Sequence, residues 1–84
     1  MIALTLYSRP GCHLCDEMKA TVERVARSVA SSVEVIDISA DAELEARYGL
    51  EIPVLLVNGT KAAKVRVTEE DLRKILTARS GGSG

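Results

Sequence analysis

Phenylalanine and tryptophan are missing from this sequence, and two tyrosines are its only aromatic residues. Any core must therefore be built from Ile, Leu, Val, Ala and Met. Long apolar runs are missing too. Nothing nears the roughly 20 residues needed to span a bilayer, so no membrane partner is expected. The stretch Met1-Ile2-Ala3-Leu4-Thr5-Leu6 lacks the basic start and cleavage site of a signal peptide, and the expected location is the cytoplasm. Neither sign of charge dominates: 11 Lys and Arg face 12 Asp and Glu, for a net charge of −1. Phosphate binding needs clustered Lys and Arg, which argues against nucleic acid as a partner. Histidine occurs once and cysteine twice.

What is present is enough chain for one domain and too little for two, at 84 residues. A chain this short buries only about 60–65% of the surface its unfolded form exposes, so its stability margin is thin. Hydrophobic residues at 46% and charged residues at 27% make the composition globular rather than disordered. Ser80 to Gly84 reads as a flexible Gly/Ser tail, leaving residues 1–79 as the domain. A monomer is expected.

Ile2 to Tyr7 alternates and is rich in strand formers, so it predicts a strand. Ser8-Arg9-Pro10-Gly11 is a turn by composition. From Cys12 the period changes: Leu14, Met18, Val22, Val25, Ala26 and Val29 recur at steps of three and four, the mark of a helix with one buried face. Ser31-Ser32 is expected to end it, and Val33 to Ile38 to form a second strand. Ser39 is placed to cap a short helix running through Leu44 to Tyr48, with Gly49 as its stop. Ile52 to Val57 reads as a third strand that tolerates Pro53 at its start. Asn58-Gly59 is a two-residue hairpin turn, and Ala62 to Val67 the fourth strand. Thr68 followed by Asp71 opens a last helix, with Leu72, Ile75 and Leu76 inward. The order β-α-β-α-β-β-α implies an α/β domain. Its first two strands are parallel through a right-handed crossover, its last two an antiparallel hairpin, and its mixed four-stranded sheet carries helices on both faces.

The chemistry concentrates at Cys12-His13-Leu14-Cys15, which follows a strand and a tight turn and opens a helix. A pair spaced by three closes almost no loop, so a stapling role gains little. In a reducing compartment such a pair is more often catalytic or metal-binding. The first sulfur sits at the positive end of the helix dipole, near N–H groups with no partner inside the helix. Arg9 and His13 add positive charge, and Cys15 can donate its S–H to a Cys12 thiolate. Together these bring the first thiol from about 8.5 toward 7, where thiolate fraction and nucleophilicity balance best. Cys15 stays protonated until it resolves a mixed disulfide. His13 acts either by its charge alone or as a general base. Two alternatives stand beside exchange chemistry. Cys12, His13 and Cys15 supply at most three of the four ligands of a closed zinc site, so no complete metal site lies within the chain. A metal or iron–sulfur cluster shared between two chains is the first alternative. A redox-inert interaction domain is the second.

These residues resemble a family. Leu6-Tyr7-Ser8-Arg9-Pro10-Gly11-Cys12-His13-Leu14-Cys15, Ile36-Asp37-Ile38, Glu51-Ile52-Pro53 and Asn58-Gly59 are together similar to a glutaredoxin, over residues 2–79. The resemblance implies the thioredoxin fold with strand order 2-1-3-4, Cys12 as nucleophile and Cys15 as resolving cysteine. It also implies a cis peptide before Pro53, facing the cysteine pair. Arg9 matches the basic residue that glutaredoxins carry three positions before their first cysteine. The Glu51-Ile52-Pro53 segment stands where glutaredoxins bind the glutathione backbone with Thr-Val-Pro. Val67-Thr68 stands where a Gly-Gly pair lets glutathione approach, and His13-Leu14 replaces the usual proline and tyrosine. Glu51 either opposes the thiolate and glutathione by like charge or points to solvent. The function implied is a thiol–disulfide oxidoreductase acting on protein or low-molecular-weight disulfides. No bound cofactor is called for. The electron donor is left open between glutathione, as a co-substrate, and a thioredoxin-reductase-type donor.

Overall fold

Strand pairing and one amphipathic helix organise the computed structural model, which describes residues 2–29 and 31–81. Strand β1 (Ile2–Ser8) is central. It pairs in parallel with β2 (Ser31–Asp37) and antiparallel with β3 (Val54–Val57), and β3 pairs antiparallel with β4 (Thr60–Lys64). The spatial order is β2-β1-β3-β4, as the resemblance implied. Helix α1 (His13–Ala26) crosses from β1 to β2, α2 (Ala42–Tyr48) precedes β3, and α3 (Glu69–Gly81) closes the chain.

Alternation along β1 divides the sheet into two faces. Ile2, Leu4 and Leu6 join Leu55 and Val57 under Met18, Val22 and Val25 of α1 and Leu72 and Leu76 of α3, a core of aliphatic and thioether side chains. The opposite face of β1 carries Tyr7, whose ring stacks on Tyr48 of α2 with centroids 4.7 Å apart. The first and third helices thus share one face and the second holds the other.

Several boundaries differ from those read along the chain, each for a tertiary reason. Helix α1 stops at Ala26, and Ser31 and Ser32 belong to β2, because Ile2 and Ala3 of β1 offer them ladder partners. Val29 lies past the helix yet still packs on the core. Ile38 leaves the strand for a 3-10 turn, Ile38–Ala40, where it is fully buried. The cap of α2 is Asp41, not Ser39: its carboxylate accepts from the N–H groups of Glu43 and Leu44, while Ser39 is bound by Asp37. Gly49 closes α2 with a helical φ of −55°.

Strand β3 begins only at Val54, the partner of Tyr7, and Ile52-Pro53 is a cis peptide just before it. Asn58 and Gly59 have φ of 51° and 85°, the doubly positive pattern of a type I′ turn. Asn58 also exchanges two hydrogen bonds with the backbone of Ala3, tying the hairpin to β1. Strand β4 starts directly after the turn, bulges between its pairings with Leu55 and Leu56, and ends at Lys64 opposite Val54. It does not reach Val67, because β3 offers no partner beyond Val54. There the chain turns about Val65, at φ 67°: the Arg66 N–H donates to the Lys64 carbonyl at 2.7 Å, and the Val65 N–H to the Pro53 carbonyl at 2.8 Å. A γ-turn with positive φ is the rare, strained hand, and a β-branched residue held there costs of order 1–3 kcal/mol. Helix α3 runs on over Ser80 and Gly81, and residues 82–84 of the expected tail lie outside the described residues. No helix among the described residues is long and apolar enough to cross a membrane.

Candidate functional site

Register brings the motifs to one rim of the sheet. Tyr7 pairs with Ile36 and Val54, and Val54 with Lys64. The chain therefore leaves β1 toward the cysteines, enters β3 through Ile52-Pro53 and leaves β4 through Val65 at the same end.

The turn that delivers the first cysteine spans Arg9–Cys12, one residue later than composition implied. The Cys12 N–H donates to the Arg9 carbonyl at 3.3 Å, with Pro10 second and Gly11 third at φ 80°, the type II pattern. Only a residue free to take positive φ serves at Gly11. Cys12 then stands at the N-cap of α1 in extended conformation, and its Sγ accepts from the Cys15 N–H at 3.2 Å. Sulfur thus occupies the place that a Ser or Asp oxygen takes in an ordinary cap. A thiolate there receives both that N–H and the positive end of the helix dipole. The two sulfurs are joined as a disulfide, with Cα atoms 5.1 Å apart, inside the usual span. Exposure separates them: Cys12 is half-buried, whereas Cys15 is only 3% exposed.

The neighbouring charges are distributed differently from their order in the sequence. Arg9 is drawn toward α2, where its Nη2 donates to Glu45 Oε1 at 3.0 Å, and its Nε is buried with no partner among the described residues. Its charge also helps hold the Asp37 carboxyl below its usual range, after the larger effects of hydrogen bonds from the Ser39 hydroxyl and N–H. His13 is 90% exposed, with Nε2 4.0 Å from Glu17 Oε2. Glu51 meets two lysines of β4, Lys61 at 2.8 Å and Lys64 at 3.7 Å. The Lys61 hydrogen bond, then its charge, hold the Glu51 carboxyl below its usual range. The carboxylate, expected either to oppose a thiolate or to point to solvent, is paired with cations on the adjoining strand.

Pro53 is buried and Ile52 half-buried. Among the described residues nothing pairs with the Ile52 N–H or C=O. Thr68 caps α3 by accepting from the Asp71 N–H at 3.0 Å, as its spacing implied. Val67 and Thr68 also meet α1. With Val65 and Arg66 they face Leu14, Glu17, Met18 and Thr21 across a cavity of about 170 Å³. Sequence reading missed Val65, Arg66, Lys61, Lys64 and Glu45. Composition places the first two in a strand, and the ion pairs of Glu45, Lys61 and Lys64 join residues whose approach no local pattern marks. Among the described residues, no group of three or more His, Cys, Asp or Glu side chains is placed to share a metal ion.

Residues 3–77 match the family model described as glutaredoxin-like domain (DUF836). No curated protein matches the chain. A structural-genomics target protein from X. campestris is similar at 35% identity and TM-score 0.77, covering 89% of this chain and 96% of that one. A protein from Nitrosomonas europaea is similar at 26% identity and TM-score 0.75, covering 88% and 89%. A mutant thioredoxin from Halobacterium salinarum, at 21% identity and TM-score 0.67 over 92% of this chain and 73% of that one, shares the fold.

Proposed function

The chain belongs to the glutaredoxin-like domain family, and from that premise we propose that it is a thiol–disulfide oxidoreductase, reducing protein or low-molecular-weight disulfides by dithiol exchange. The observation that carries the reading is the inequality of its cysteines. Cys12 is half-buried and caps a helix with its sulfur, while Cys15, 3% exposed, points its N–H at that sulfur from within the first turn.

In the reduced protein the Cys12 thiolate attacks one sulfur of a substrate disulfide. A Cys12–substrate bond forms, the substrate S–S bond breaks, and the second substrate sulfur leaves as a thiolate that takes up a proton. Cys15 then loses its proton and attacks the Cys12 sulfur, and the first substrate sulfur leaves and is protonated. Two electrons have passed from the protein to the substrate, and a Cys12–Cys15 disulfide is left in the protein, a bond that the 5.1 Å Cα separation suits. Both electrons reside on sulfur, so the reaction calls for no bound cofactor. Restoring the dithiol takes two reducing equivalents from glutathione or from the dithiol of a reductase, in a reducing compartment such as the cytoplasm. The free N–H and C=O of Ile52 suit an extended substrate segment added as a short strand.

The test is single-turnover reduction of a peptide disulfide by the pre-reduced chain, with the thiols then trapped by alkylation. Cys12 is expected to alkylate faster than Cys15. Cys12→Ser should abolish turnover, and Cys15→Ser should accumulate a mixed disulfide on Cys12. Faster alkylation at Cys15, or trapping by Cys12→Ser, would reverse the roles; inertness of both thiols would end the reading.

A further inference from the structure

One feature of the rim is unaccounted for by exchange chemistry alone: a valine is kept in left-handed backbone beside the cysteines, where glycine would sit without strain. Neither neighbouring hydrogen bond requires the side chain, since both the Val65 N–H and the Arg66 N–H bonds are made by backbone. What the side chain does is form one wall of the cavity opposite Leu14 and Met18. It remains 38% exposed, so it packs too little to be explained as core.

The cavity is placed and shaped for one occupant. Leu14, Glu17, Met18 and Thr21 are spaced by three and four along α1, so the cavity starts between the two cysteines and follows the helix. Leu14 is two residues from Cys12 and lines the cavity, so the cavity mouth adjoins the Cys12–Cys15 motif. A residue adjoining a substrate cysteine bonded to Cys12 has about 3.8 Å of chain and its own side chain with which to reach that mouth. Its volume of about 170 Å³ compares with apolar cavities of roughly 150 Å³ that admit a benzene ring. Leu14, Met18, Val65 and Val67 give it an apolar lining, beside Thr21 and Thr68. The rim charges, Glu17 and Arg66, are of opposite sign, so a neutral apolar group is the complement.

We propose, resting on the oxidoreductase reading, that Val65 is a specificity-determining residue: its strained backbone holds an apolar wall that receives the apolar side chain flanking the reactive cysteine of a peptide or protein disulfide. Glutathione has no such side chain and gains nothing from the wall.

The experiment uses the full chain, pre-reduced and freed of reductant, so that its own dithiol supplies the two electrons. Three symmetric disulfides are compared: those of acetyl-Leu-Cys-Leu-amide, acetyl-Ser-Cys-Ser-amide and glutathione. The native chain is expected to reduce the Leu-flanked disulfide about tenfold faster than the Ser-flanked one, as a modest apolar pocket allows. Val65→Gly should bring that ratio to about threefold or less, leave the glutathione disulfide rate unchanged, and unfold at the same or higher urea. Val65→Asn, which keeps left-handed backbone accessible but removes the apolar wall, should lower the ratio likewise. An undiminished leucine preference in both variants, or an earlier urea midpoint in both, overturns the role of Val65. Equal rates of the native chain on all three disulfides overturn the cavity while leaving the oxidoreductase reading intact. Failure to reduce any of them overturns that reading instead.

Discussion

Glu51 illustrates how much a single residue's meaning depends on what faces it. Alone beside the cleft its carboxylate would repel a thiolate. Held at 2.8 Å from Lys61 and 3.7 Å from Lys64, it is the anion of a small cationic cluster. Removing it by Glu51→Thr should therefore alter Cys12 alkylation at low salt by no more than about fivefold, the most that a pair of exposed charges supplies. Replacing Lys61 and Lys64 with Met should slow alkylation more, because Glu51 is then unopposed. The same cluster sets a pH dependence. A carboxyl held low in the folded state by Lys61 contributes stability that is complete above its unfolded pKa, about 4.3, and lost as pH falls through the folded pKa. Urea midpoints of the native chain and Glu51→Gln should differ at pH 7 and converge under acid. Asp37, held low by Ser39, adds to the same acid limb.

At the scale of elements, α2 is the weakest helix in its own right. It has 7 residues, none of them buried, and so short a helix is marginal in water without tertiary help. Three devices hold it, one local and two tertiary: the Asp41 cap, the Arg9–Glu45 ion pair at 3.0 Å and the Tyr7–Tyr48 stack. Asp41→Ala should cost about 1 kcal/mol by urea unfolding, and amide exchange should accelerate first within 42–48. Because α2 leads directly into Ile52-Pro53, substrate reduction should weaken in the same variant while Cys12 alkylation stays near its native rate. A variant that loses both together would mean that α2 is needed for the whole fold rather than for the substrate rim.

The molecule as a whole rests on one aliphatic layer between the sheet and α1 with α3. Without Phe or Trp, each Leu or Val in it carries a larger share of the burial. Leu6 lies at 0% exposure at the centre of β1, paired on both sides. Leu6→Ala should cost about 2–5 kcal/mol, a large part of the 5–15 kcal/mol that domains possess. Calorimetry or urea unfolding should show a partly unfolded population at room temperature. Leu50, fully exposed in the loop before Glu51, should by contrast be replaceable with Ser at a cost within about 0.5 kcal/mol.

Periodicity and punctuation in the sequence determined the element order, the parallel and antiparallel pairs, the Asn58-Gly59 turn, the Thr68 cap and the place of Cys12 at a helix start. The turn, the cap, the helix start and the antiparallel hairpin depend on residues within about one helical turn or one hairpin, where side-chain spacing and backbone preference act directly. The parallel pair follows from the crossover that a helix between two strands imposes. Tertiary structure decided the remainder. Ser31 and Ser32 became strand because β1 lay alongside with unpaired backbone, and Val67 did not because β3 had ended. Arg9 turned to Glu45, and Glu51 to Lys61, because those partners, 36 and 10 residues away, are brought near only by the fold. The wall of Val65 opposite Leu14 is likewise a matter of approach between a loop and a helix remote in sequence. Charge and packing act through space, so a residue's type and neighbours along the chain can announce a reactive cysteine but not the surface that selects what it meets.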